Sequence, residues 1–194
     1  MNAYGRQLLT ALRFLLCATL LLGLAYPVLI FGIGQAVAPA QANGSIIAVG
    51  GQPVGSSALA QPVTGDAWFH PRPSAVDANP AASSASNLGP NQPELVKVMA
   101  EHRELIAARE HVAGQAVPLD AVTASGSGLD PDISPAYAAL QLPRVAAASR
   151  LGGAAAAKLI AENTSSGLNA FWGQPSVNTT TLNAALAQAG PFKH

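Results

Sequence analysis

Phe14-Leu15-Leu16-Cys17-Ala18-Thr19-Leu20-Leu21-Leu22-Gly23-Leu24-Ala25-Tyr26-Pro27-Val28-Leu29-Ile30-Phe31-Gly32-Ile33 is a run of twenty residues without a charge. At about 1.5 Å of rise per residue, a helix of that length crosses the roughly 30 Å hydrocarbon core of a bilayer. Arg6, Arg13 and the amino terminus precede it, and no charged residue of either sign follows until Asp66. The positive-inside rule then keeps the short N-terminus in the cytoplasm and exports everything beyond about Gln35. Ala38-Pro39-Ala40 and Ala40-Gln41-Ala42 resemble the small-x-small sites at which signal peptides are cleaved. A signal's apolar stretch is only about 7 to 15 residues, however, and the longer run here reads as a permanent anchor. The expected organisation is a cytoplasmic N-terminus over residues 1–13, a transmembrane helix over 14–35 and an exported domain over 36–194.

Within the span, Pro27 removes one backbone donor, which predicts a kink or a local widening of the helix. Thr19 and Gly23, and separately Gly32 and Ala36, follow the small-xxx-small spacing that lets another helix approach closely. Gly23 and Pro27 are therefore candidate partner contacts. Cys17, the single cysteine, lies in the most apolar part of the chain. It builds no disulfide, zinc cluster or redox pair.

Composition narrows the remainder. Of 194 residues, 49% are hydrophobic but 40 are Ala; only 10% are charged, with ten basic and ten acidic side chains balancing to zero. Such a chain has no basic face for phosphate backbones, which excludes nucleic acid as a partner. It is too apolar for a disordered segment, and its core is expected to be thin.

The exported part alternates short elements with shaped loops. Ser45-Ile46-Ile47-Ala48-Val49, broken by Gly50-Gly51, reads as short strands joined by turns. Trp68-Phe69-His70-Pro71-Arg72-Pro73-Ser74 has prolines at alternate positions, which forbids a helix and predicts an extended path with outward-pointing side chains. Asp77 to Asn91 reads as a loop. A helix is expected from Gln92 to Val112, capped by Asn91 with Glu94 in the capping-box position, carrying Leu95, Val98, Met99, Ile106 and Val112 on one stripe and stopped by Gly114. His102 and His111 fall on opposite faces of it and cannot share a metal. In Val122-Thr123-Ala124-Ser125-Gly126-Ser127-Gly128-Leu129-Asp130-Pro131, alternating Ser and Gly permit positive φ and amides turned toward an anion or a partner. Ser134 caps a helix with Pro135 in its first turn. Two short helices bent at Pro143 follow, presenting Gln141 and Arg144, then an Ala-rich helix from Ala154 to Glu162, a strand at Ser176-Val177-Asn178 and a closing helix from Leu182 to Ala189. The fold class is thus a single N-terminal transmembrane helix followed by a small α+β extracytoplasmic domain.

Signatures of catalysis are missing from the sequence. There is no Gly-Lys-Ser/Thr phosphate loop, no Asp-Lys-Thr-Gly phosphorylation motif, no Gly-x-Ser-x-Gly or Ser-x-x-Lys, and no His-Glu-x-x-His. Asp130-x-Asp132 is too short for a calcium loop. A dispersed constellation of Asp120, Asp130, His70 and Arg72 meeting in space is the one enzymatic arrangement left, and it would make the chain a membrane-anchored envelope hydrolase. A solute-binding module is the other alternative.

Taken in order, these residues resemble the KdpC family, the C subunit of Kdp-type potassium-transporting ATPases. The resemblance runs from Gly23 and Tyr26-Pro27 through Ala42-Asn43-Gly44-Ser45, Val54-Gly55-Ser56, Phe69-His70-Pro71-Arg72-Pro73-Ser74 and Ser86-Asn87-Leu88-Gly89-Pro90. It continues in the block from Thr123 to Pro131, Ile133-Ser134, Gln141, Arg144-Val145-Ala146, Arg150, Val177-Asn178 and Leu182-Asn183. The chain departs from the family pattern at Asp132, where His is usual, at Ser84-Ala85, where Gly-Gly is usual, and at Ala60. The resemblance implies a non-catalytic accessory subunit of a high-affinity potassium pump in the bacterial inner membrane, aiding assembly and docked over the ion-selecting subunit. Its expected partners are a channel-like potassium-selecting subunit, a P-type ATPase subunit, a small single-helix subunit and membrane lipid. ATP, Mg and potassium are expected on those partners, with no cofactor bound directly by this chain. The Ser-Gly segment has been likened to the signature of ABC transporters, but the orientation derived above puts it on the side without ATP. A lid over the ion entrance fits better than nucleotide contact by Ser125 or Gly126. With Gly23 and Pro27, the candidate partner contacts are His70, Arg72, Ser125, Gly126, Asp130, Gln141 and Arg144.

Overall fold

The computed structural model describes residues 2–165 and 173–190. The chain divides into two compact units, Met1–Ser45 and Ile46–His194.

The first unit is dominated by one long helical run, Ala3–Val37, which is apolar and long enough to cross a membrane and has none of its most apolar stretch buried by the chain itself. It starts well before the uncharged residues, at Ala3, and comprises α1 (Ala3–Leu20), a widened π turn (Leu21–Ala25) and α2 (Tyr26–Val37). The π turn is the widening that Pro27 predicts. A proline ring clashes with the carbonyl four residues back, here that of Gly23, and an extra residue in the preceding turn relieves the clash. The amide of Tyr26 accordingly donates to the carbonyl of Leu21, five residues back. A short α3 (Pro39–Ala42) follows, and Asn43 is tied to Gln35 by a reciprocal pair of side-chain hydrogen bonds of 3.0 and 3.2 Å.

The second unit is α+β. β1 (Ile46–Val49) and β2 (Gln52–Ser56) form an antiparallel hairpin, turned by Gly50 and Gly51 at positive φ. A second, two-residue ladder pairs β3 (Asp132–Ile133) with β4 (Val177–Asn178). Between the hairpin and that ladder lie α4 (Pro93–Glu110), a 3-10 turn (Gly114–Ala116) and α5 (Leu119–Val122). α6 (Pro135–Ser149) and α7 (Gly153–Glu162) lie between the ladder's two strands, and α8 (Thr179–Ala189) follows β4.

Local chemistry explains the boundaries. Ser134 Oγ accepts the amide of Tyr137, and Asn178 Oδ1 accepts those of Thr180 and Thr181, so α6 and α8 each begin on a side-chain cap. α4 begins one residue later than expected. Gln92, not Asn91, is its cap, and Gln92 Oε1 turns back to accept the amide of Gly89 at 2.6 Å. Its end is set by His111 at φ 55°, ahead of Gly114. Pro143 does not divide α6, which is a single helix. The missing amide leaves the Ala139 carbonyl without its partner, but Gln141 and Val145, both fully buried on either side, hold the helix in register.

The core is small, as the Ala content predicts. Phe69, Tyr137, Ile133, Leu182, Leu186, Val122, Val145 and Val177 are buried, with Ala121, Ala138 and Ala156 allowing close backbone approach. The 68–74 segment runs without secondary structure, as its prolines dictate. Its side chains do not all point outward, because Phe69 is fully buried in this core.

Candidate functional site

Lacking a sheet to pair with, the stretch from Asp66 to His70 has backbone hydrogen bonds supplied by side chains. Gln141, completely buried on α6, accepts the amide of His70 through Oε1 at 2.8 Å and donates Nε2 to the same residue's carbonyl at 3.0 Å. One residue earlier, Asn183 on α8 does likewise for Phe69, at 2.9 and 2.8 Å. Each amide side chain imitates a neighbouring strand, satisfying donor and acceptor together. Arg144 extends the clamp by donating Nη1 to the carbonyls of Asp66 and Trp68 and Nη2 to Gln141 Oε1.

Beneath this clamp lies a buried charge cluster. Glu110, at the end of α4, has a completely buried side chain. Its carboxylate accepts Arg144 Nε at 2.9 Å and Arg109 Nε at 3.0 Å, and Arg109 Nη2 donates onward to Tyr137 Oη at 3.1 Å. Burial raises the Tyr137 phenol above its ordinary value, with Arg109 opposing. His70 sits beside this cluster. Burial foremost, then Arg109, lowers its imidazole to about 4. Its Nε2 lies 3.2 Å from the Gly65 carbonyl, an acceptor, so that nitrogen carries the proton of the neutral ring.

The Ser-Gly segment is pinned to the other end of the proline-rich strand. Arg72 reaches Asp130 at 3.3 Å and the Thr123 hydroxyl and the Thr123 and Ala124 carbonyls at 3.3–3.4 Å. The amide of Ser125 donates to the Pro73 carbonyl, and Ser74 Oγ to the Gly128 carbonyl at 2.7 Å. Gly128 has φ +72°, and a Cβ there would lie 2.6 Å from Val76 Cγ2 and 2.8 Å from the Ser84 carbonyl, so only glycine fits. At Gly126, φ is not positive and a Cβ meets nothing within 4 Å. Asp130 also accepts the amide of Asp132, whose own carboxyl is raised above its ordinary value by burial first and by the Asp130 charge second.

Of the residues singled out in the exported domain, Gln141, Arg144, Arg72 and Asp130 are drawn into one framework around 66–74. Gln141 and Ser125 are buried and Arg144 nearly so, while Gly126 is exposed. Gly23 and Pro27 lie in the helical unit, the first inside the π turn. Of the dispersed constellation, Arg72 and Asp130 meet, while the Asp120 carboxylate and the His70 ring take other partners. Asp130 goes to Arg72, Asp120 accepts the amide and hydroxyl of Ser134 at 2.8 Å each, and the His70 ring goes to Gly65. Glu110, Arg109 and Asn183 acquire roles that sequence reasoning did not assign. Glu110 lies four residues beyond Ile106, where the α4 stripe calls for another apolar side chain, and that interruption is the one signal by which the sequence could have marked it.

A cleft of about 420 Å³ opens beside His70, Arg72 and Arg109, walled by Pro71, Pro73 and Leu105. A second, of about 320 Å³, lies between the hairpin and α8, lined by Val54, Trp68 and Ala187 among others.

Comparison with known proteins places the chain in a family. The family model described as "K+-transporting ATPase, c chain" matches residues 8–188. A potassium-transporting ATPase KdpC subunit of Kineococcus radiotolerans is 48% identical over 188 residues, covering 96% of this chain and 95% of the relative. The subunit of the same name from Cereibacter sphaeroides is 48% identical over 180 residues, covering 93% of this chain and 96% of that one. A third, from Rhodospirillum rubrum, is 45% identical over 193 residues and covers 97% and 99% of the two chains. The match spans the membrane-length helix and the clamped domain alike, and the chain belongs to the KdpC family, the c chain of the K+-transporting ATPase.

Proposed function

We propose that this chain works by contact, as a non-catalytic accessory subunit that aids assembly and stabilises the potassium pump. Its helix tethers it to the bacterial inner membrane with the N-terminus cytoplasmic and the α+β domain periplasmic. That domain docks over the channel-like potassium-selecting subunit, as a lid at the ion entrance. The P-type ATPase subunit and the small single-helix subunit complete the complex, and ATP, Mg and potassium bind to the partners.

One observation carries this reading: among the described residues, the polar side chains gathered around 66–74 and at the start of α6 are engaged in holding loops. Gln141, Asn183 and Arg144 fix the 66–70 backbone, Arg72 fixes the Ser-Gly segment, and Asp120 fixes the start of α6. Rigid, Pro- and Gly-shaped loops suit recognition by shape. Potassium selection uses rings of oxygens, largely backbone carbonyls. The described residues hold no group of three or more His, Cys, Asp or Glu placed to share a metal ion.

The test is to express the full chain with and without the other pump subunits and recover it from detergent. The expected result is co-recovery of the ion-selecting, ATPase and single-helix subunits, with ATP hydrolysis measurable only when they are present. A chain that is stable alone, recovers no partner and turns over an envelope substrate would belong to the hydrolase class instead.

A further inference from the structure

The cleft beside the 70–74 segment combines two kinds of wall. One is apolar, formed by Pro71, Pro73, Ile106 and Leu105, and Leu105 is 68% exposed. The other is charged. Arg109 lines the cleft with its side chain 29% exposed, while the Glu110 carboxylate it shares with Arg144 is completely buried. Two guanidinium groups on one carboxylate leave one positive charge in excess. Among the described residues Arg109 donates to Glu110 through Nε and to Tyr137 through Nη2, which uses two of the five N–H donors of a guanidinium. Arg72, also on the cleft, is matched by Asp130, and His70 is held neutral. Asp77, which also lines the cleft, is exposed to solvent, where water and salt screen it. His102, also in the lining, has its ring Nδ1 3.2 Å from the Val122 carbonyl, and of the two guanidinium groups on Glu110 only Arg109 lines the cleft, its side chain 29% exposed against 8% for Arg144, so Arg109 presents the excess charge there.

A free inorganic anion would satisfy Arg109 and leave Leu105 and the prolines wet. A carboxylate carried on an apolar stretch of polypeptide would cover both walls at once. We propose that this cleft seats an Asp or Glu side chain on a loop of a partner subunit, its carboxylate pairing with Arg109 and its flanking residues covering Leu105 and Pro71. The proposal rests on the reading that the domain docks on another pump subunit. Charge-assisted guanidinium–carboxylate pairs fix register as well as affinity, so this contact sets how the loop enters.

The test places a photoreactive phenylalanine analogue at Leu105 of the full chain, in the detergent-solubilised complex. The exposure of Leu105 leaves the fold undisturbed. The expected product is a crosslink to a peptide of a partner subunit with Asp or Glu within about one turn of the attachment point. Arg109→Met lowers the yield per assembled complex about tenfold and Arg109→Lys retains most of it; the Met variant also takes a partner from the buried Glu110 carboxylate and melts below the parent, so yield is compared at a temperature where both complexes stay assembled. Crosslinks to phospholipid alone, a partner peptide without an acidic residue, or an unchanged yield in Arg109→Met would overturn the proposal. An assembled complex with no crosslink at Leu105 defeats the cleft assignment and leaves the docking reading intact. Failure of the unmodified chain to assemble with the other subunits defeats both.

Discussion

His70 lies where two demands on one residue meet. Its backbone amide and carbonyl are both held by Gln141, and its ring lies near enough to a cluster with one surplus positive charge to feel it. Burial and Arg109 lower its proton affinity from 6.5 to about 4. Between those values the unfolded chain binds a proton that the folded domain does not, so stability rises with pH across that window. The contribution is fully present above about 6.5 and is lost as pH falls through about 4. His70→Gln removes the titrating group, and the slope of melting temperature against pH between 4 and 6.5 is expected to flatten; an unchanged slope would remove His70 from the account. Glycines in the Ser-Gly segment differ at the same scale. Gly128→Ala meets both a left-handed backbone and the Val76 and Ser84 atoms, and is expected to cost about 2–4 kcal/mol in denaturant unfolding. Gly126→Ala, with open space around it, is expected to stay within about 0.5 kcal/mol of the parent. Equal effects at the two positions would mean that the packing against Ser84 is not what selects glycine.

Elements were legible wherever a local rule decides them. The Gly50-Gly51 turn, the Ser134–Pro135 start and the widening ahead of Pro27 each follow from one or two residues acting on their own backbone. Long-range pairing was not legible. Nothing near Gln141 or Asn183 in sequence says that each will serve as a strand for a segment 71 or 114 residues away. Nor does the proline pattern of 68–74 reveal that Phe69 turns inward, because an extended path fixes the backbone and leaves the faces to tertiary packing. α6 shows the same override, since Pro143 removes one hydrogen bond while burial of the helix on either side keeps it whole. The membrane helix offers a test free of such packing. Its own nearest obstacle to a side chain at Gly23 is Thr19 Cγ2, at an ordinary 3.8 Å. Gly23→Leu is therefore expected to leave the helix intact and to reduce recovery of the assembled pump more than Leu22→Ala does. Equal recovery of the two variants, measured by the same detergent pull-down, would remove the argument that another helix packs there.

At the scale of the whole molecule, the side of the membrane on which the α+β domain lies decides what it can meet, and the proposed orientation rests on one charge asymmetry. Arg6 and Arg13 lie on one side of the uncharged run, and the next charge on the other side is Asp66. If positive charge holds the N-terminus in the cytoplasm, every loop described above faces away from ATP, and the domain can influence the pump only through the surface it touches. Lys158 on α7 reports on this directly. Its side chain is 76% exposed, and its pairing with Glu162 at 3.7 Å is a surface contact of little energetic weight. In a Cys17→Ser background, Lys158→Cys is expected to react with a membrane-impermeant maleimide in intact spheroplasts, at the same extent before and after lysis. Labelling that appears only after lysis would put the domain in the cytoplasm, and with it the Ser-Gly segment within reach of nucleotide. The chain would then need a different partner surface, and the lid over the ion entrance would no longer be a geometric option.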